Sequence, residues 1–143
     1  MRLEVFVPGK LANPLNGQHG HWTTRAKWAR DWRARTHNRL WIAMRQHGLP
    51  HDFARLEQSD RPKRVTFLVQ THNPVDDDAL PAMCKPARDA LRDAGVIDDD
   101  GPASGHVFIY QQTVKRDHRG VLITVEAATQ PARTSTTSSP RST

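Results

Sequence analysis

Residues 72–100, HNPVDDDALPAMCKPARDALRDAGVIDDD, decide how the rest of this 143-residue chain is read. The segment opens with three aspartates, 76–78, and closes with three more, 98–100. It holds eight of the fifteen acidic residues and three basic ones, so it carries −5 in a chain of net charge +6. Between the aspartate runs, Leu80, Met83, Ala87, Ala90, Leu91 and Ala94 recur at helical spacing. Pro81 falls in the first turn and Gly95 at the left-handed position past the end, predicting a helix over 79–94. Pro86 predicts a kink, or a regular helix that begins only near Cys84, because proline lacks the amide proton and crowds the preceding turn. Cys84 reads as a small core residue.

Working outward, residues 64–71 (RVTFLVQT) are β-branched and apolar, the clearest strand in the chain. Leu3, Val5 and Val7 alternate with Arg2, Glu4 and Phe6, a short strand closed by Pro8-Gly9. Residues 107–114 and 121–125 read as strands, and the basic turn KRDHRG between them predicts a hairpin. A long helix is expected from Thr23 or Thr24 as cap to the stop at Gly48-Leu49-Pro50. Trp22, Ala26, Ala29, Trp32, Thr36, Leu40, Ala43 and Met44 form its apolar stripe; Trp41 lies off that stripe and is a candidate interface residue. Residues 128–143 are too poor in apolar side chains to fold alone. The expectation is an α+β fold: a small mixed β-sheet packed by two main helices, one domain over 1–127, with a C-terminal hairpin and a disordered polar tail over 128–143.

A lone cysteine excludes an internal disulfide and fits a reducing cytoplasm. The first ten residues hold no apolar signal region, and no run of eighteen apolar residues occurs, so neither a signal peptide nor a membrane span is expected. A sequence pI near 10.2 points to a polyanionic partner.

The long helix supplies the cations. Arg25, Lys27, Arg30, Arg33, Arg35, Arg39 and Arg45 face a single Asp31. Six are arginines, whose planar forks match phosphate, and most lack an acidic residue four positions away. Arg33, and to a lesser degree Arg25, project into the apolar stripe, where a charge needs a carboxylate or a substrate phosphate beside it. Phosphate-backbone binding by this helix is expected, extended by Lys115 and Arg116 of the basic turn.

The aspartates need a different account. Two carboxylates about 4 Å apart repel by roughly 4 kcal/mol at an effective dielectric near 20, so a cluster stays wet, takes up protons or binds a cation. Oxygen ligands with no cysteine or histidine beside them select Mg2+ or Mn2+. If the chain stays extended at 76–78, Asp76 and Asp78 share one face and Asp77 points away. A bound metal within a basic protein suits phosphodiester hydrolysis, where the metal activates water and basic side chains hold the backbone. Lys85 is a further candidate cationic stabiliser.

The pattern resembles the RusA family of Holliday junction resolvases, crossover junction endodeoxyribonucleases, in a variant common in phage and prophage sequences. The family's Asp-x-Asp-Asn, lysine, Asp-x-Leu and Ala-Gly-Val-Ile-x-Asp-Asp elements correspond to 76–79, Lys85, 89–91 and 94–100. The HWTTRAKWARDWR string also looks like the family's basic leader helix, and the resemblance covers roughly residues 3–126. It implies metal ligands at Asp76, Asp78 and Asp100, a catalytic lysine at Lys85 and a homodimer on a four-way junction. The implied reaction is paired Mg2+-dependent nicking of opposing strands, in recombination and repair. Ala79 stands where the family has asparagine, which raises a second reading: a branched-DNA binding protein with impaired cleavage. A third is a nuclease acting on flaps or other DNA structures.

Overall fold

The computed structural model describes residues 2–11, 22–46, 62–98 and 105–128. The elements in order are β1 (Arg2–Pro8), α1 (Trp22–Gln46), β2 (Lys63–Thr71), a 3-10 turn (Asp77–Ala79), α2 (Leu80–Asp93), β3 (Val107–Val114) and β4 (Gly120–Ala127). They build an α+β fold: one four-stranded mixed sheet in the order β1-β4-β2-β3, with two helices. β4 pairs antiparallel with both β1 and β2, while β2 and β3 are parallel.

Period-two alternation drives the sheet. Leu3, Val125 and Val65 lie in one cross-strand row, Val5, Ile123 and Phe67 in the next, and Val7, Val121 and Val69 in a third. All nine are buried, which is the face that α1 and α2 cover. From α1 the core takes Trp32, Leu40, Ala43 and Met44; from α2 it takes Leu80, Met83, Cys84, Ala87, Ala90 and Leu91. Phe67 stacks on Tyr110 of β3 with ring centroids 5.3 Å apart, adding an aromatic contact to the area it buries. Burial pushes the Cys84 thiol up to about 12, so this side chain is a small core hydrophobe and no nucleophile at neutral pH.

Several expectations are met. The helix stripe is buried at Trp32, Thr36, Leu40, Ala43 and Met44, although Ala26 is exposed and Ala29 half-buried. Helix α1 begins at Trp22, ahead of the threonines expected to cap it. Gly95 follows α2 with φ of 79°, the left-handed position that glycine enters without a Cβ penalty. Pro86 is buried inside a helix that runs unbroken from Leu80 to Asp93, so it does not mark a late start.

The C-terminal hairpin is not formed. β3 and β4 are consecutive in the chain, yet β2 lies between them and pairs with both. The turn after Val114 passes over the end of β2, where the Lys115 N–H donates to Thr71 O at 2.9 Å. Two strand spacings, roughly 10 Å, are within reach of a five-residue connection. The turn composition therefore marks a reversal of direction without specifying that the two strands are neighbours. Beyond Ala128 the expected polar tail lies outside the described residues.

At the start of β4 the backbone of β1 comes too close for a side chain. A Cβ on Gly120 would sit 2.4 Å from Val7 O and 2.9 Å from Pro8 Cα, both backbone atoms. Gly120→Ala is therefore expected to destabilise the fold by about 1–3 kcal/mol, the usual cost of overpacking. A urea melt checks this, with the midpoint falling and the slope unchanged.

Candidate metal and nucleic-acid site

The first aspartate run sits where β2 ends. Its position is set by Gln112 on β3, whose side-chain amide behaves like one more rung of the parallel ladder. Its Oε1 accepts the Val75 N–H at 3.0 Å. Its Nε2 donates to Val75 O at 2.7 Å and to Asp77 Oδ1 at 2.6 Å. Asp76 is extended, with φ −63° and ψ 136°, and its carbonyl accepts the Ala79 N–H at 3.0 Å, turning the chain into the 3-10 segment.

That turn corrects the expectation of an extended run with two aspartates on one strand face. Asp77 is set apart by its bond to Gln112 rather than by strand alternation. Asp76 and Asp78 are exposed, and among the described residues neither carboxylate has a hydrogen-bond partner. Ala79, by contrast, is 2% exposed and part of the core.

Asp98, the first residue of the second run, is at the other end of the sheet. Asp98 Oδ1 lies 2.8 Å from His106 Nε2, just ahead of β3. His106 Nδ1 accepts the Lys63 backbone N–H at 3.1 Å. A backbone amide can only donate, so the proton of the neutral ring is on Nε2 and faces Asp98. Asp77 is held at Gln112 and Asp98 at His106, six residues apart along an extended strand, or roughly 20 Å. Asp98 therefore does not join Asp76 and Asp78, and no group of three His, Cys, Asp or Glu able to hold a metal ion occurs among the described residues. Asp99 and Asp100, the latter an expected ligand, lie outside the described residues. As donors for a hard cation, Asp76 and Asp78 fit: both are wet, all-oxygen, and able to leave positions for water.

Lys85 is on the exposed side of α2, where its Nζ lies 2.8 Å from Asp89 Oδ1, one turn on. Lys115 and Arg116 are exposed on the turn that crosses the end of β2, the same end of the sheet as Asp76–Asp78. Lys10, His72 and Arg119 line a cleft of about 250 Å3 at this end too. The sequence offered no signal for these three, because their proximity depends on β1, β2 and the last turn meeting across the sheet.

The cations of α1 divide by use. Arg33, the charge set against the apolar stripe, has a carboxylate partner: its Nε and Nη2 donate to Asp93 at 2.5 and 2.7 Å, joining α1 to the end of α2. Arg35 donates to Pro8 O at 3.2 Å and lies 5.0 Å over the Trp32 ring. Arg45 covers Trp41 at 4.5 Å, and Trp41 is 38% exposed beside a 41% exposed Ile42. Arg25, Lys27, Arg30 and Arg39 are exposed, with no partner among the described residues. Arg88, another residue missed in the sequence, donates to Tyr110 Oη at 2.9 Å and lies 4.7 Å over Phe108.

A comparison with protein-family models and with curated proteins gives no match. No helix among the described residues is long and apolar enough to cross a membrane.

The Arg33 fork holds the Asp93 carboxyl below its ordinary value, with the hydrogen bond the largest cause. A lowered folded-state value gives stability that is present above the ordinary carboxylate range and is lost as pH falls through the lowered value. Asp93→Asn is thus expected to cost about 1 kcal/mol at pH 7, because the pair is partly solvated. Paired urea melts should show the difference shrinking as pH drops from 5 toward 3; a constant difference would show that the charge plays no part.

Proposed function

We propose that this chain is a Mg2+-dependent endonuclease that cuts opposing strands of four-way DNA junctions as a homodimer. The observation that carries the reading is the company kept by the first aspartate run. Two wet carboxylates, Asp76 and Asp78, share one end of the sheet with Lys115 and Arg116, and with the cleft of Lys10, His72 and Arg119. Carboxylates suited to a hard cation beside side chains suited to phosphate are the two halves of a phosphodiester-cleaving site. The resemblance to the RusA family adds the choice of substrate and the dimer; Mn2+ is a possible substitute metal.

In this scheme Asp76 and Asp78 hold the ion. When bound, Mg2+ supplies an activated water and offsets charge building on the phosphate oxygens. Lys115 and Arg116 grip the backbone near the scissile phosphate, and the exposed cations of α1 (Arg25, Lys27, Arg30 and Arg39) hold a neighbouring arm. Lys85 is ion-paired with Asp89, so it acts as a helix-surface charge near the phosphates.

A second reading, branched-DNA binding without cleavage, draws on one particular observation: Ala79 replaces the family asparagine at a core position. Incubation of a synthetic junction with Mg2+ separates the two. The wild type should nick paired strands, and Asp78→Asn should bind with unchanged salt dependence while nicking at least roughly 100-fold more slowly. Binding without nicking in Mg2+ or Mn2+ would favour the second reading, and failure to bind would exclude both. Ala79→Asn is expected to restore nothing, since its amide would enter the core.

A further inference from the structure

Between the start of α1 and the start of α2 lies a groove of about 660 Å3 whose apolar floor no step above uses. Its floor is apolar: Trp28 from one helix, Pro81 and Pro86 from the other, with alanines on both sides leaving the space open. Its rim is cationic, lined by Arg25, by Lys85 with its ion-pair partner Asp89 one turn on, and by Arg88. Arg25 is exposed and has no partner among the described residues. Arg88 is fixed in place by Tyr110 and Phe108, so it presents a positioned charge rather than a mobile one.

An apolar floor under a positive rim suits a ligand that is flat and apolar on its face and anionic at its edge. We propose that this groove receives an unpaired nucleotide of the DNA substrate, its base on Trp28 and the prolines and its phosphate at Arg25 and Lys85. The proposal rests on the nuclease reading and names what the enzyme recognises beside the cut. A base in an intact duplex cannot enter, because both its faces are already stacked. The centre of a junction, or a flap, supplies bases that can leave the stack, and stacking on an aromatic ring tolerates any of the four.

The location matters as much as the lining. Pro81 is three residues past Asp78, so the edge of the groove starts about one helical turn along the backbone from Asp78. A nucleotide seated there would leave its neighbouring phosphate at Asp76 and Asp78. The groove would thus choose which phosphate is presented, coupling recognition of unpaired DNA to the position of cleavage.

Fluorescence anisotropy in EDTA, with no cleavage possible, tests this using a four-way junction and a fully paired duplex of equal length. Trp28→Leu removes the stacking ring, and Ala82→Phe plugs the groove from α2. Each should lower the ratio of junction to duplex affinity about tenfold, a change within the usual value of one stacked base. Abasic sites at the junction centre should reproduce that loss with the wild type and add little to Ala82→Phe. If the wild type binds no junction, the nuclease reading fails and this one with it. If it prefers junctions and the plugged, folded variant keeps that preference, only the groove assignment is overturned. Conversion of a dimer to a monomer by Ala82→Phe, with the preference intact in the monomer, would identify a second copy of the chain as the occupant instead.

Discussion

The parallel pairing of β2 with β3 governs what this molecule can bring together. Two parallel neighbours cannot be joined by a tight turn; the chain must travel back along the whole strand before starting again. Helix α2 makes that return, and its contacts trace the path. Asp77 is held at Gln112, Arg88 at Tyr110 and Phe108, and Asp98 at His106, in descending order along β3. Asp77 of the first aspartate run and Asp98 of the second, separated by one helix in the sequence, are separated by most of the length of β3 in space. Charge that appears as one acidic island in the sequence is thus divided, with the first run at the end of the sheet that carries the basic turn and Asp98 beside a histidine at the other.

The packing explains why the divided arrangement is held firmly. Three rows of aliphatic and aromatic side chains tie β1, β4 and β2 together, and α1 and α2 close over them. The Arg33–Asp93 fork joins the two helices at the C-terminal end of α2, while the Gln112 amide pins the other end at Val75 and Asp77. Both ends of the crossover are anchored by bidentate contacts, which restrict direction more than a single hydrogen bond does. The carboxylates of Asp76 and Asp78 stay outside these anchors and keep their water.

Much of the architecture was legible from local pattern. Alternation in 64–71 and helical spacing in 79–94 specify their elements because the side chains that alternate or recur are those the core needs. Pairing was less legible. The turn KRDHRG reverses the chain, and nothing within it records that β2 would occupy the place beside β4. At the site, the need of Arg33 for a counter-charge could be read from its position against the stripe, and one of the two possible answers, Asp93, is present within the chain. The role of Asp77 could not be read, because it depends on a glutamine 35 residues away on another strand. Lys10, His72 and Arg119 were invisible for the same reason.

The sheet order has a consequence for how the molecule is made. β1 precedes the other described strands, and its partner among the described residues is β4, which follows them, with Leu3 opposite Val125. Its row of Leu3, Val5 and Val7 must wait for that partner until β4 has been synthesised. β2 likewise waits for β3 and β4. Contacts so distant in sequence make for slow folding and a long interval of exposed strand edges. What can form early is local: α1, whose hydrogen bonds span only four residues and need no strand to be present.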